Sequence, residues 1–402
     1  MINIFKYTEK KLAKEIANIA KSIDPTLIMT YLQDSNEVKL GPEGDINKYT
    51  LYLGNIFKKY SALPKGDRLK SIRTYLEESL TPIELSDDQF LNTLALRVRT
   101  QYELDLRAKH FQLAGNTIQP SLRFNTGDLV IEVVSDREES LSIPSVETIT
   151  GHGASKEEAI EIASAKLRRY TDKQKWQKVD DSIWISSYID DYDVARLITT
   201  EPYDMLPFDD GLVMYAPSHS VCLITNTRTP EVLSRLIEIG DEQSTTHRHF
   251  SQNLWVFDSG FKKWNSRDCG AELKDLVKLQ SLKEMINQYQ ETKAYFEKSI
   301  TEDIFIATFK AIQNDKGPIS YCVYTFDVVS YLPKTDYVAV VDASLPEDQT
   351  VIGWLDWQDF HDLVGTDNLK TVNDTIPQWY TLLPALNNEV KNSLKKASRA
   401  EI

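Results

Sequence analysis

Two apolar runs flank a short polar turn in the segment Gly211-Leu-Val-Met-Tyr-Ala-Pro-Ser-His-Ser-Val-Cys-Leu-Ile-Thr225. Both runs are rich in residues that favour strands, and the turn between them is Pro217-Ser-His-Ser220. This pattern predicts a β-hairpin. Because an isolated hairpin is only marginally stable in water, we expect further strands to pair with it.

Strand-forming segments occur on both sides of this hairpin. Residues 183–187 precede it, and residues 254–257 and 261–264 follow it. Helical patterns lie between these segments, so one sheet with helices packed on a face is the simplest arrangement. We predict an α+β fold with a helical N-terminal part, a central helix-covered sheet and a second, smaller α+β unit at the C-terminus.

The chain is predicted to contain four regions, because 402 residues exceed what a single core usually holds. They are a helical N-terminal region (1–90), a central α+β domain (91–268), a connecting helix (269–298) and a C-terminal α+β domain (299–402). Apolar residues at helical spacing over 12–23 and 49–60 support the first region. The strands expected in the last region are 304–312, 319–326, 337–342 and 351–355.

Composition excludes several classes of protein. The net charge of −14 disfavours nucleic-acid binding, because phosphates would be repelled; the basic stretch from Arg168 to Lys178 remains a weak alternative. The cysteines Cys222, Cys269 and Cys322 are too far apart for a zinc pair and odd in number for a disulfide framework. No secretion signal or membrane-spanning run is found. We therefore expect a cytoplasmic protein with no metal, no cofactor and no membrane contact.

One glycine-rich segment resembles a phosphate-binding loop at first sight. Gly151-His-Gly-Ala-Ser-Lys156 opens a helix, yet the third glycine of the dinucleotide fingerprint and the Gly-Lys-Ser/Thr ending are both absent. Ser155 and Glu158 instead have the spacing of a capping box. We interpret the segment as a helix start.

Arginines alternate along one of two predicted strands, 94–99 and 129–134. Arg97 and Arg99 occupy the first strand, and Arg107 and Lys109 follow it. A strand face with these arginines could bind an anion. Dispersed charges more often indicate a solvent-exposed face, which is the interpretation we favour.

The candidate polar cluster consists of Asp193, Arg196 and His219. The first two belong to Tyr188-Ile-Asp-Asp-Tyr-Asp193 and the residues after it, and His219 belongs to the hairpin turn. Three nearby aspartates could bind a cation or supply paired carboxylates. The calcium-loop spacing is missing, so we favour a polar turn in which Asp191 or Asp193 caps a short helix.

Two histidines, His247 and His249, are separated by one residue. On a strand they would point the same way and could contribute two metal ligands. Because the segment has no third ligand nearby, we do not assign a metal site to it. Residues 356–362 are predicted to form a helix whose Trp357 and Phe360 face inward. Its solvent-facing side then carries Asp356, Asp359 and His361.

Several short motifs, in order, resemble the YtpQ-like family, a bacterial family of unknown function. The motifs are Leu51-Tyr-Leu-Gly-Asn-Ile-Phe57 with Pro64 and Arg68, the strand 94–99, the helix from Ser155 to Leu167, the element Tyr192, Ala195, Arg196 and Leu197, Met214-Tyr-Ala-Pro-Ser218, and Ser251. The resemblance covers about residues 40–265. The family usually continues Pro-Ser with Arg-Asp, where this chain has His219-Ser220. The resemblance implies a cytosolic bacterial protein and brings no activity with it.

Two functional hypotheses follow. The leading one is a non-enzymatic interaction or regulatory protein with a protein partner, because no hydrolase, kinase or metalloprotease motif is found and tryptophan and tyrosine are abundant. The alternative is an enzyme, hydrolase-like in type, with a motif-poor site at the Tyr192–Arg196 and Pro217–Ser220 turns. It would require Asp193, Arg196 and His219 to converge in one cleft.

Overall fold

The protein is described by a computed structural model that covers residues 7–33, 37–44, 49–80, 85–113, 115, 119–137, 140–171, 176–188, 190–198, 211–244, 249–257, 260–346, 349–372, 377–382 and 386–400. Helix accounts for 42% and strand for 29%, and the strands of the described ranges form five sheets. These values confirm the predicted α+β class. None of the helices in the described ranges combines the length and apolar character needed to cross a bilayer.

The elements of the first 170 residues are mostly helical. They are α1 Glu9–Ile23, β1 Ile28–Leu32, β2 Glu37–Gly41, β3 Tyr49–Tyr52, α2 Leu53–Tyr60, α3 Lys65–Leu80, α4 Asp87–Thr93, β4 Leu94–Thr100, α5 Gln101–Leu113, β5 Arg123–Thr126, β6 Leu129–Asp136, β7 Leu141–Ser142, α6 Val146–Gly151 and α7 Lys156–Tyr170.

Strands outnumber helices in the remainder of the described chain. The elements are β8 Trp176–Lys178, β9 Trp184–Ser186, β10 Val213–Ser218, β11 Val221–Thr225, α8 Pro230–Ser244, β12 Leu254–Phe257, β13 Phe261–Lys263, α9 Ala271–Ser299, β14 Phe305–Ile306, β15 Lys310–Asn314, β16 Gly317–Thr325, β17 Ser330–Pro333, β18 Tyr337–Val341, β19 Val351–Asp356, α10 Trp357–Val364, β20 Leu369–Thr371, β21 Trp379–Leu382 and α11 Asn388–Ala397.

The chain divides into two compact units. Unit 1 contains Met1–Ala95 and Val134–Ile162, and unit 2 contains Leu96–Val133 and Ala163–Ile402. Unit 1 is therefore built from two separate stretches of sequence. The four regions predicted from the sequence remain a prediction.

The core of unit 1 lies between three helices and a small antiparallel sheet. The sheet has the order β1-β2-β3, and Val38 and Leu40 of β2 are buried among residues of α1, α2 and α3. The helix expected over 49–60 is correct only for α2, because its first four residues form β3, which pairs with β2. Ser155 and Glu158 make both bonds of the predicted capping box at the start of α7.

The predicted hairpin is the centre of a six-stranded sheet in unit 2. Its order is β13-β12-β10-β11-β9-β8, so β12 and β9 pair with the hairpin as expected and β13 extends the sheet beyond β12. Leu233 and Leu236 of α8 are buried in the core under this sheet together with Val213 and Leu223.

The outer edge of β13 is covered by the tip of another hairpin, β5–β6. The Asp128 N–H donates to the Phe261 carbonyl at 2.7 Å, and Gly127 forms a parallel bridge with Phe261. A Cβ atom on Gly127, whose φ is +63°, would lie 2.2 Å from the Phe261 oxygen. Only glycine fits at this contact.

Two further four-stranded sheets follow the long helix α9. Their orders are β15-β16-β18-β19 and β14-β17-β21-β20. The single strand expected over 304–312 is wrong, since β14 and β15 belong to different sheets. Trp357 and Phe360 of α10 are buried as predicted. At the edge of β19, Trp354 exchanges two backbone hydrogen bonds of 2.8 Å with Arg399.

Candidate functional site

The turn of the central hairpin packs against the segment that precedes the short 3-10 helix Ala195–Ile198. Ser218 pairs with Val221 across the turn, and the Ser220 hydroxyl donates to Asp191 Oδ1 at 2.5 Å. Asp191 has a φ of +64°, a left-handed conformation that is uncommon outside glycine. Ser220 of the hairpin turn is therefore hydrogen-bonded to the residue that directly precedes the Tyr192–Arg196 turn.

Asp193 and Arg196 lie together on this segment, and both side chains are buried. Asp193 Oδ1 accepts from the Ser186 hydroxyl at 2.6 Å and from the Tyr188 N–H at 3.2 Å. Burial raises the pKa of the Asp193 carboxyl above its ordinary value. Asp193 thus ties the end of β9 to the turn, and it does not act as the predicted helix cap.

The Arg196 guanidinium forms a bidentate ion pair with Asp190, at 2.7 and 2.6 Å. It also lies over the Tyr188 ring, 3.6 Å from the ring centroid. The Arg196 side chain is only 1% exposed, so its positive charge needs a partner, and the Asp190 carboxylate compensates it.

His219 makes its contacts in another direction. Its Nε2 lies 3.3 Å from Glu103 Oε1, and its ring packs edge-on against Phe250. The neighbouring Ser220 and Asp191 connect the hairpin turn with the segment that carries Asp193 and Arg196. The structure therefore brings two of the three candidate residues together and places the third beside them.

The arginines of β4 are buried, so the solvated-face interpretation is wrong for them. Arg97 lies 3.7 Å from Asp191, and Arg99 lies 3.5 Å from Glu103 and 3.8 Å from Glu132. Charges removed from water need such partners.

Glu132 of β6 is the most connected carboxylate of this cluster. It accepts hydrogen bonds from Arg107 at 2.6 and 2.8 Å, from Arg123 at 3.0 Å and from Ser121 at 2.9 Å. Burial acts to raise the pKa of Glu132, but the hydrogen bonds and charges of Arg107 and Arg123 outweigh it and hold the pKa below its ordinary value. The carboxylate therefore stays ionised.

His249 lies next to the hairpin turn, in an isolated bridge with Ser218. Its Nε2 is 3.3 Å from Glu284 of α9, and Glu284 also accepts from the Gln252 N–H at 2.7 Å. Burial acts to lower the pKa of His249, but the hydrogen bond and charge of Glu284 raise it overall. His247, the other histidine of the pair, lies outside the described residues.

The carboxylates of this region are committed to protein partners. Asp190, Asp191 and Asp193 accept from Arg196, Ser220 and Ser186, respectively. Within the described ranges, no group of three or more histidine, cysteine, aspartate or glutamate side chains is placed to hold a metal ion.

Two open grooves lie along α9. The first, which we call the α9 groove, has a volume of about 460 Å³ and is lined by Ile286, Tyr289, Lys293, Ala294, Thr308 and Phe309 among others. The second has a volume of about 380 Å³ and a polar lining that includes Asp241, Gln252 and Lys283. Ile286 borders both.

Comparison with known proteins gives no match: no family model, no curated protein and no solved structure resembles this chain. Function must therefore be argued from the chain's own residues.

Proposed function

We propose that this chain is a non-enzymatic interaction protein that binds a protein partner in the α9 groove. The proposal rests first on the state of the candidate polar cluster. Asp193, Arg196 and His219 are at most 2% exposed and are all engaged with neighbouring side chains. A catalytic acid or base must reach its substrate, so these residues are better suited to hold two turns together.

The α9 groove has the composition of a binding surface. Tyr289 stacks on Phe309 with ring centroids 4.7 Å apart, which makes a rigid aromatic floor. Lys293 at the rim is held by Thr308 at 3.0 Å and lies 3.9 Å from Glu297. Tyr289 and Phe309 are only 2% and 4% exposed, so they fix the shape of the groove. Ile286, Lys293 and Ala294, which also line it and are more exposed, are the residues that a partner would contact.

A bulky residue in the groove tests the proposal. Ala294 is an exposed residue of α9 that lines the groove, so Ala294→Trp fills it without changing the core. We expect the tagged full chain, purified from its native cells, to carry a stoichiometric protein partner, and Ala294→Trp to reduce its recovery by about tenfold, a loss of about 1.4 kcal/mol. Mass spectrometry of the purified material measures this.

The matched control is Lys274→Trp, an exposed position on the same helix that does not line the groove. It is expected to retain the partner. Equal loss in both variants, or no partner with the unmodified chain, would contradict the proposal.

Membership of the YtpQ-like family is part of the same proposal and rests on the ordered motifs alone.

A second candidate function is enzymatic, with a hydrolase-like reaction at the two joined turns. The observation that favours it is Asp193, whose carboxyl pKa is raised by burial and whose Oδ2 has no hydrogen-bond partner among the described residues. Such a carboxyl keeps its proton more readily than an ordinary aspartate. A small molecule that co-purifies without a protein partner, and is lost in Asp193→Asn but kept in Ala294→Trp, would support this function instead.

A further inference from the structure

The first strand of unit 1, β1, is an edge strand without any charged residue. Its sequence is Ile-Met-Thr-Tyr-Leu, and among the residues that the structure describes it lies at the end of the β1-β2-β3 sheet, next to β2. Its outer face carries Ile28, Thr30 and Leu32, of which Ile28 and Leu32 are 40% and 39% exposed. An uncharged apolar edge is a template for pairing with another strand.

Several other edge strands in the described ranges are protected in the usual ways. Lysines lie in the edge strands β8, β15 and β20, as Lys178, Lys310 and Lys370. The edge of β13 is covered by Gly127, and that of β19 by Arg399. At the opposite edge of the β1 sheet, β3 runs without a break into α2. Against this background the unprotected β1 is a feature that calls for a partner strand.

The sequence of β1 is complementary to itself. In an antiparallel pair of two β1 strands with a two-fold axis through Thr30, Ile28 faces Leu32 of the other copy and Met29 faces Tyr31 of the other copy. Each position therefore meets an apolar or uncharged residue, and cross-strand apolar pairs of this kind stabilise a sheet.

The faces of the strand also agree with this register. Met29 and Tyr31 oppose Leu40 and Val38 of β2 on the core side, whereas Thr30 and Leu32 oppose Lys39 and Glu37 on the outer side. The charges of the outer side therefore lie one strand away from the edge. The two-fold contact brings no two like charges face to face.

We infer that β1 is a self-association edge, where two copies of this chain pair their β1 strands antiparallel about Thr30 and form one six-stranded sheet. This inference does not depend on the α9 groove. Two five-residue strands bury less than a standard interface of about 1,600 Å², so we expect a reversible dimer with a Kd on the order of 10 µM or weaker.

The two-fold axis through Thr30 gives a specific test by sedimentation of the full chain over a range of concentrations. The wild type should shift from monomer to dimer as concentration rises. Thr30→Lys alone and Thr30→Glu alone should each weaken the dimer at least tenfold, since identical charges would face each other across the axis. An equimolar mixture of the two variants should restore dimers, because opposite charges then face each other.

The control is Thr150→Lys, an exposed threonine of unit 1 in α6, which should dimerise like the wild type. Circular dichroism of each variant checks that it is folded. The inference is overturned if the wild type stays monomeric up to a concentration on the order of 500 µM, some fifty times the expected Kd. It is also overturned if Thr30→Lys dimerises normally, or if the mixture behaves like its separate components.

Discussion

A single carboxylate, Glu132, compensates the charges of three arginines in unit 2. Arg107 and Arg123 are within 3.0 Å of it, and Arg99 is 3.8 Å away. Removing one member of a buried ion network leaves the other charges uncompensated, which costs more than the network itself contributes. Glu132 therefore stabilises its surroundings by holding the arginines in place.

We expect Glu132→Gln to lower the free energy of unfolding by about 3–5 kcal/mol, because the replacement keeps the volume and removes the charge. Chemical denaturation followed by tryptophan fluorescence measures the change. Glu147→Gln, at an exposed position, is the control and should change the stability by less than about 0.5 kcal/mol. A loss of similar size in both variants would show that the network is not the cause.

Because of Glu132, we expect the free energy of unfolding to depend on pH in the acid range. Its folded-state pKa is lowered from the ordinary value of 4.5, so its contribution to stability is fully present above that value. The contribution is lost as the pH falls through the lower folded-state pKa. In Glu132→Gln this part of the acid transition should be missing.

Because of His249, we also expect the free energy of unfolding to depend on pH near neutrality. Its folded-state pKa is raised above 6.5 by Glu284, with smaller effects of Glu291 and Glu103. The stability that it contributes is therefore present below pH 6.5 and is lost as the pH rises through the folded-state pKa. An NMR titration of the His249 ring should give a pKa above 6.5 in the wild type and a lower one in Glu284→Gln. An unchanged value in the variant would show that Glu284 is not the cause.

At the level of elements, the β5–β6 hairpin contributes to the central sheet through its tip. Gly127 and Gly260 approach so closely that a Cβ on Gly260 would lie 2.5 Å from the Gly127 nitrogen. The side chain of Asp128 adds a hydrogen bond to the Lys263 N–H at 2.9 Å. This contact joins β5 and β6 to an edge that would otherwise be open.

We expect Gly127→Ala to lower the free energy of unfolding by about 3 kcal/mol or more, because a left-handed alanine and a clash with the Phe261 carbonyl combine. Gly153→Ala is the matched control. Its φ is +81° and nothing lies within 4 Å of the added carbon. It should therefore cost only about 1–2 kcal/mol for the backbone conformation. Equal losses in thermal or chemical unfolding would mean that the contact with Phe261 contributes nothing.

The sequence correctly predicts those helices and strands whose pattern of apolar and polar residues reflects contacts between residues close together in the chain. The central hairpin, the helices α8 and α9 and the capping box of α7 belong to this group. The helix over 49–60 was wrong at its start because pairing with β2 overrides the helical spacing there. The strand over 304–312 was wrong because tertiary pairing separates it into two sheets, which periodicity cannot show.

The candidate polar cluster was only partly accessible to sequence reasoning. Asp193 and Arg196 are close in sequence, so their proximity could be expected, whereas their burial could not. Glu103, Glu132 and Glu284 were missed because their partners are distant along the chain. A signal did exist for Glu132, since a lone glutamate inside Leu129-Val-Ile-Glu-Val-Val134 has no place in a buried strand unless it is paired.

At the level of the whole molecule, unit 1 is discontinuous. The stretch Leu96–Val133, which belongs to unit 2, interrupts it. The two parts of unit 1 are held together by specific contacts. Arg137 donates to the Glu78 carbonyl at 2.9 Å, the Ser140 hydroxyl donates to the Glu78 carboxylate at 2.6 Å, and His152 lies 2.9 Å from Asp87.

This discontinuity affects how the chain folds while it is synthesised on the ribosome. When residue 95 has emerged, the first part of unit 1 still lacks the strand and helices of Val134–Ile162, and the intervening 96–133 must emerge first. At the ordinary rate of about 5–20 residues per second, the nascent segment waits several seconds for its missing part. During that time the apolar surfaces around Phe90 and Thr93 are candidates for capture by chaperones, and the order of translation becomes part of the folding pathway.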